Sequence, residues 1–297
     1  MKKNPVTKVF YPGLSACSAK GKYYLVSSSF QCFPGIPLFE SDDLTNWHFI
    51  GHVLTRESQL VLKTISSSGN MFVPTIRYNK GRFYVVVTDD TTHENFYVYA
   101  DDIYGEWSDP ITVGQKGSDP SLFFDGEHVY FMSNGMDDYG ESGIVQCEID
   151  IATGTKLSES KCIWKGNGGC YQESPHMYHI GDYYYLMSAE GCTEYGRMST
   201  YAKSDSVWGP FTNQLVSPVL SKNKEASCMI QGIGHGDLIQ NEDGEYYFIC
   251  LGFRQMHMWC AHHIMGREVI RIPIDFQKDG WSFKEDDGQE EKSIKLT

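Results

Sequence analysis

One local pattern recurs five times in this sequence of 297 residues. Each copy has a glycine turn followed by an alternating, aromatic-rich segment: KGKYYLVSSS (20–29), KGRFYVVVTD (80–89), DGEHVYFMSN (125–134), IGDYYYLMSA (180–189) and DGEYYFICLG (243–252). A shorter strand-like segment precedes each turn, which is typical of a β-hairpin. The turn glycines lie 45 to 63 residues apart, a spacing that fits propeller blades with outer loops of variable length.

These repeats predict an all-β fold, a five-bladed β-propeller. Tryptophan-bearing segments follow four of the hairpins as DLTNW, GEWSDP, VWGPF and DGWSF, where outer strands would lie. We expect a single catalytic domain over residues 1–297, without a C-terminal β-sandwich. The alternative is an open β-sandwich whose hairpins are alike by chance, and five in-phase copies argue against it.

Composition excludes several classes of partner. The net charge of -13 repels phosphate backbones, so we expect no nucleic-acid partner. No run of about 18 apolar residues is present, so we expect no membrane span. The opening MKKNPVTK lacks the apolar middle of a signal peptide, which favours a cytoplasmic location. The oligomeric state is left open.

The nine cysteines give a further indication about the compartment. Their number is odd and the sequence contains no C-x-x-C pair, the usual mark of a zinc site or a redox pair. We therefore expect reduced, mostly buried thiols and no disulfide framework.

The repeats also indicate which residues meet. The first strand of each propeller blade lines the central channel, so equivalent positions converge on the axis. Positions seven to nine residues before the turn glycines are Gly13, Val73 or Pro74, Asp119, Glu173 and His235. Each residue alone has an ordinary structural explanation. Together they predict two carboxylates and a histidine facing one cavity.

Six ordered motifs resemble one enzyme family. They are NPVTKVFYPGLS, FPGIPLFESDDLTNW, GSDPSLFF, QESPHMY, QGIGHGDL and GRE, and they span residue 4 to about residue 283. The chain resembles glycoside hydrolase family 43, whose members are five-bladed propellers that act on arabinose- and xylose-containing polymers with inversion of configuration. The segment SDDLTNW is also similar to the Asp-box of sialidases, but the arginines match no sialidase pattern.

The resemblance implies roles for three positions. Glu173 corresponds to the general acid, and its pKa must be raised so that it carries a proton near neutrality. Asp119 corresponds to a third carboxylate that tunes the pKa of the acid and orients it. The general-base aspartate falls on position 13, where this chain has Gly13. A missing general base lowers the rate about 10²- to 10⁴-fold, so we expect an impaired or inactive form.

Further site residues follow from the same motifs. Arg267 corresponds to an arginine that reaches into the sugar pocket, and Phe30 and Phe72 correspond to aromatic walls of that pocket. His235 corresponds to a substrate-pocket residue that in many members contacts, through water, a calcium ion on the propeller axis. Bound calcium is therefore a possible cofactor. Core packing is the ordinary alternative for both phenylalanines.

The function expected from this resemblance is inverting, exo-acting hydrolysis of a small-molecule oligosaccharide. The enzyme would remove terminal α-L-arabinofuranosyl residues from arabinoxylan or arabinan-type oligosaccharides, with β-D-xylosyl residues as the second choice. Gly13 leaves a different alternative, a non-catalytic sugar-binding propeller. The retention of Asp119, Glu173, His235 and Arg267 favours an engineered Asp→Gly inactivation over a natural pseudoenzyme.

Overall fold

Five antiparallel sheets build the structure, a computed structural model that describes residues 11–59, 69, 71–192, 195–213, 228–257, 262–277, 280–283 and 295–296. The first part of the opening motif, residues 4–10, lies outside the described residues. Within these ranges the chain forms 21 strands and one short 3-10 helix, Glu57–Gln59. The prediction of an all-β fold is confirmed.

The first three sheets each contain four consecutive antiparallel strands. Blade 1 consists of β1 (Leu14–Ala19), β2 (Lys22–Ser27), β3 (Gly35–Ser41) and β4 (Asn46–Leu54). Blade 2 consists of β5 (Met71–Asn79), β6 (Arg82–Asp89), β7 (Glu94–Ala100) and β8 (Ile111–Val113). Blade 3 consists of β9 (Ser118–Asp125), β10 (His128–Met136), β11 (Ser142–Glu148) and β12 (Lys161–Trp164).

The last two sheets repeat this order. Blade 4 consists of β13 (Glu173–Ile180), β14 (Tyr183–Glu190), β15 (Met198–Ser204) and β16 (Thr212–Asn213). Blade 5 consists of β17 (Ile230–Gln240), β18 (Tyr246–Arg254), β19 (Glu268–Gln277) and β20 (Gly280–Phe283). A final strand, β21 (Lys295–Leu296), pairs in parallel with β4 of blade 1.

The first strands of the blades form the inner ring. Each of β1, β5, β9, β13 and β17 contacts the first strands of both neighbouring blades. This arrangement is a five-bladed β-propeller, as predicted. The end of each first strand is therefore close to the axis, where residues distant in sequence meet.

The turn glycines serve the hairpins in two ways. In the first hairpin, Lys20 and Gly21 both have positive φ, 52° and 76°, as a two-residue type I′ turn requires. In the third and fourth hairpins the glycine comes first in the turn, and Gly126 and Gly181 each have φ of 62°. That placement is typical of a type II′ turn.

The hydrophobic core is divided among the seams between blades. Each of five buried clusters joins strands of two neighbouring blades. The ring closes where Leu14 and Trp47 of blade 1 pack with Ile249 and Val269 of blade 5. Burial of apolar surface stabilises such packing by about 25 cal/mol per Å², so every blade depends on both of its neighbours.

Eight cysteines lie within the described residues, and none of them forms a disulfide. Only Cys17, Cys147 and Cys250 are buried, so the expectation of mostly buried thiols is wrong. The exposed ones stand on loops instead of strand interiors. Among the described residues, no helix has the length and apolar character needed to cross a membrane.

Candidate active site

β-Bulges at one end of the inner strands shape the site. Ladder registers shift near the start of β5, β9, β13 and β17. At three of these bulges the backbone turns left-handed, with φ of 53° at Asp119, 53° at Ser174 and 56° at His235. Gly13, just before β1, has φ of 59°. Bulges re-aim side chains next to active sites, and here four blades use nearly the same backbone shape.

The bulges show which residues of the different blades are structurally equivalent. Asp119 and Ser174 each precede a proline and stand seven residues before the first residue of the following turn. Ser174 is therefore the repeat equivalent of Asp119 and of Gly13. Glu173 lies one residue earlier and also lines the cavity. The β-bulge lies between Glu173 and His176, where the register of β13 against β14 shifts.

A cavity of about 280 Å³ opens at these bulges. Its lining includes all seven residues singled out from the sequence, Gly13, Phe30, Phe72, Asp119, Glu173, His235 and Arg267. Further lining residues are Pro12, Ser28, Val73, Ser118, Asn134, Tyr171 and Arg197. The convergence of the predicted positions on one pocket is thus present in the structure.

Two carboxylates and an imidazole form the centre of the pocket. One carboxylate oxygen of Asp119, one of Glu173 and one ring nitrogen of His235 all lie within 4.8 Å of one another. The Oε2 atom of Glu173 is 3.7 Å from Nη2 of Arg197 and 3.7 Å from Nδ1 of His235. The backbone N–H of Ser174 donates to Oδ2 of Asp119 at 3.1 Å. Glu173 therefore faces most of the positive charge.

The surroundings shift the pKa values of the two carboxyl groups in opposite directions. Burial and the negative charge of Glu173 raise the pKa of Asp119 to about 7. Burial also acts to raise the pKa of Glu173, but His235, Arg197 and Arg267 outweigh it and hold this pKa below its ordinary value. The surroundings thus raise the pKa of Asp119 and lower that of Glu173, whereas the sequence predicted a raised pKa for Glu173. The cause is the pair of guanidinium groups, Arg197 and Arg267, together with the His235 ring, which come from other parts of the chain.

His235 is neutral in this environment. Burial lowers its pKa to about 4, although the nearby Glu173 acts in the opposite direction. Both ring nitrogens are buried and have no hydrogen-bond partner among the described residues. The imidazole is thus available to a ligand in the pocket.

Two aromatic rings form one wall. Phe30 and Phe72 meet edge to face, with ring centroids 5.9 Å apart and an interplanar angle of 85°. Backbone hydrogen bonds between Phe30 and Met71 join the wall across blades 1 and 2. An aromatic face suits the apolar side of a sugar ring.

The surroundings of Gly13 show what a side chain would meet there. The N–H of Ser28 approaches the carbonyl oxygens of Pro12 and Gly13 at 2.9 and 3.0 Å. A Cβ at Gly13 would lie 2.5 Å from Oγ of Ser28 and 3.0 Å from Cγ2 of Val73. An aspartate therefore requires the Ser28 hydroxyl to rotate away. The left-handed φ itself is shared by Asp119, and aspartate tolerates it better than most residues.

A buried polar cluster ties the inner strands together. Arg77 of β5 forms an ion pair with Asp237 of β17 at 2.6 Å. Asp237 also accepts hydrogen bonds from Ser15 of β1 and Tyr178 of β13, both at 2.5 Å. Burial acts to raise the pKa of Asp237, but the charge of Arg77 and hydrogen bonds from Arg77 and Ser15 lower it to about 2. The cluster is charged, and four blades contribute to it.

Sequence reasoning assigned no site role to Arg197, Tyr171, Ser28 or Asn134. Arg197 is 1% exposed, and it lies outside the six motifs. Tyr171 stands two residues before Glu173 but shows no periodicity that marks a site. Ser28 and Asn134 lie near the ends of second strands, whereas the positions that the repeats bring to the axis are on or next to first strands.

Comparison with known proteins identifies the same family as the sequence motifs. Residues 2–282 match the family model for glycosyl hydrolases family 43. A non-reducing end α-L-arabinofuranosidase of Bacteroides ovatus, BoGH43B, is 39% identical over 94% of this chain and 52% of its own length. A β-xylosidase of Bacillus subtilis is 35% identical over 94% of this chain and 56% of its own length. The chain spans about half the length of these relatives.

A solved structure adds the three-dimensional match. The xylan β-1,4-xylosidase of Bacillus halodurans superimposes with a TM-score of 0.88 and 32% identity, over 99% of this chain and 57% of the other. The five blades, the ordered motifs and the family match agree over nearly the whole chain. This protein belongs to glycosyl hydrolase family 43.

Proposed function

We propose that this protein is an inverting, exo-acting glycosidase that removes terminal α-L-arabinofuranosyl residues from arabinoxylan or arabinan-type oligosaccharides. Terminal β-D-xylosyl residues are its second substrate. The observation that carries the proposal is the pairing of Asp119 with Glu173 in a pocket where Gly13 repeats the backbone conformation of Asp119. Similarity to an α-L-arabinofuranosidase and to a β-xylosidase supports arabinofuranosyl and xylosyl residues as the two substrates.

The reaction assigns one task to each group. Glu173 protonates the departing glycosidic oxygen, and a base on the opposite face removes a proton from the attacking water. Asp119 orients Glu173 and tunes its pKa. The base would stand at position 13, so the Gly13 form lacks it. A carboxylate restored there adds a negative charge and raises the pKa of Glu173, which favours its protonated, acidic form.

The pocket suits an exo mode of action. Its volume of about 280 Å³ is near the lower end of the range for small-molecule sites, about 300–1,000 Å³. A cavity of this size accommodates one terminal sugar better than an internal stretch of polymer. The Phe30–Phe72 wall would contact the apolar face of that sugar, and Arg267 and His235 would bind its hydroxyl groups.

The residues present fit calcium poorly. Asp119, Glu173 and His235 could hold a divalent cation, but calcium takes six to eight oxygen ligands and only two of these residues supply oxygen. A cation on Glu173 would also prevent it from carrying the proton. We propose that the enzyme works without a bound cation, and that dialysis against EDTA leaves its activity and melting temperature unchanged.

The direct test restores the base. Gly13→Asp should raise kcat/KM on an aryl α-L-arabinofuranoside about 10²- to 10⁴-fold, and adding Glu173→Gln to it should reduce kcat/KM on an unactivated arabino-oligosaccharide by a similar factor. No gain in a folded Gly13→Asp protein would contradict the role of position 13. The second candidate function is a non-catalytic sugar-binding propeller, and the observation that favours it is Gly13. A Gly13→Asp protein that binds arabinose but stays inactive would support this candidate.

A further inference from the structure

An exposed tyrosine, Tyr171, stands at the rim of the pocket. Tyr104, Tyr139 and Tyr171 are each at least 60% exposed. The hydroxyl of Tyr104 donates to Glu40, and that of Tyr139 donates to Glu159. Tyr171 lines the pocket, and its side chain makes no hydrogen bond or ring contact within the described part of the chain. Its exposed ring can contact a ligand in the pocket.

The segment before Tyr171 is held in place by a buried carboxylate. Glu190, 1% exposed, accepts hydrogen bonds from the backbone N–H groups of Asn167 and Gly169 at 2.9 and 2.7 Å. The hydroxyl of Thr200 donates to the same carboxylate at 2.7 Å. A Cβ at Gly169 would lie 2.4 Å from Oε2 of Glu190. The loop is thus built closely around Glu190.

A second contact fixes the loop next to the tyrosine. The N–H of Gly191 donates to the carbonyl oxygen of Cys170 at 2.7 Å. Tyr171 itself has φ of 55°, a left-handed conformation that is uncommon for an aromatic residue. The aromatic ring is therefore presented at the rim by an anchored backbone, so that little conformational entropy is lost when a ligand binds.

The position of Tyr171 relative to Glu173 indicates which part of a substrate it meets. A general acid protonates the glycosidic oxygen, so the sugar on the far side of that oxygen lies next to the acid. Tyr171 is two residues from Glu173, and both line the pocket. Phe30 and Phe72 form the other aromatic surface. One cavity thus offers two separate aromatic surfaces.

We propose that Tyr171 forms the subsite for the leaving-group sugar, with its ring stacked on the apolar face of a neutral sugar unit attached to the terminal arabinofuranose. This inference rests on the proposed role of Glu173 as the acid. The subsite selects oligosaccharides over small aryl glycosides and monosaccharides. Tyr171 acts in binding and takes no part in proton transfer.

Binding measured on the Gly13 chain tests the subsite with little turnover. By calorimetry, Tyr171→Ala should weaken binding of a singly arabinosylated xylo-oligosaccharide about tenfold and leave L-arabinose binding unchanged. Tyr171→Phe keeps the ring and should retain the affinity of the parent. Tyr139, in the loop between β10 and β11, is about as exposed as Tyr171; Tyr139→Ala is therefore the matched control and should change the binding of neither ligand.

The outcomes separate the two proposals. Equal oligosaccharide affinity for the parent and Tyr171→Ala would overturn the subsite and leave the proposed function standing. Equal losses for oligosaccharide and arabinose in a folded Tyr171→Ala protein would also overturn it, because Tyr171 would then belong to the terminal-sugar site. If the parent bound neither ligand, the proposed function would fail and the subsite with it.

Discussion

Arg77 donates a hydrogen bond through Nη2 to Nδ1 of His176, at 2.7 Å. A guanidinium group has only donors, so Nδ1 carries no proton and the ring proton lies on Nε2. Nε2 is 3.0 Å from Oγ of Ser174, and burial lowers the pKa of His176 to about 3. The imidazole is therefore neutral, in one tautomer, and connects the buried Arg77–Asp237 pair to the backbone that binds Asp119.

This connection makes His176 a positioning residue. In the Gly13→Asp protein, His176→Asn should keep the acceptor for Arg77 and lose the donor to Ser174. We expect kcat/KM to fall about tenfold or more, because a displacement of about 1 Å at a catalytic group costs up to 10²-fold. The N–H of Ser174 lowers the pKa of Asp119, so a weaker contact should raise this pKa and shift the pH–rate profile that depends on it. An unchanged pH profile would leave His176 with a structural role alone.

The pKa of Asp119 makes stability depend on pH. Its folded-state pKa, about 7, lies above the ordinary value of 3.8, so the folded state binds the proton more tightly. The contribution of Asp119 to stability is fully present below pH 3.8 and is lost as pH rises to about 7. Asp119→Asn should therefore raise the melting temperature more at about pH 8 than at about pH 4. An equal change at both pH values would show that Asp119 is ionised throughout.

The space at Gly13 should accept a small anion. Azide or formate bound there can replace the missing base, so hydrolysis of an activated aryl α-L-arabinofuranoside by the Gly13 form should increase with anion concentration. Azide that attacks the anomeric carbon displaces the aryl oxide and leaves a β-arabinofuranosyl azide, detectable by mass spectrometry and NMR. The Gly13→Asp protein is the control and should not respond. A flat response of the Gly13 form would count against a catalytic role for this position.

Stereochemistry tests the pairing of position 13 with Glu173. Inverting enzymes place a water molecule between two carboxyl groups about 6.5–9.5 Å apart, whereas retaining enzymes have them about 5–5.5 Å apart. The Gly13→Asp protein should invert, so NMR at early times should show the β-anomer released from an α-linked arabinofuranoside. The α-anomer as first product would mean that residue 13 attacks the sugar directly.

The sequence by itself determined the five blades and the convergence of Gly13, Asp119, Glu173 and His235 on one pocket. Hairpins depend on local signals, namely alternating side chains and turn glycines, and these are visible in single segments. Repetition then placed equivalent residues at the axis, because each blade enters the ring in the same way. The motifs identified the family for the same reason, since each motif is a continuous stretch.

Only the tertiary structure decided in which direction the pKa of each carboxyl group shifts. Arg197 and Arg267 reach Glu173 from other parts of the chain, and burial acts on Asp119 through several blades at once. The bond from Arg77 to His176 likewise joins residues 99 positions apart. Electrostatic and hydrogen-bond energies depend on distances and on exclusion of water. Neither is readable before the blades close into a ring.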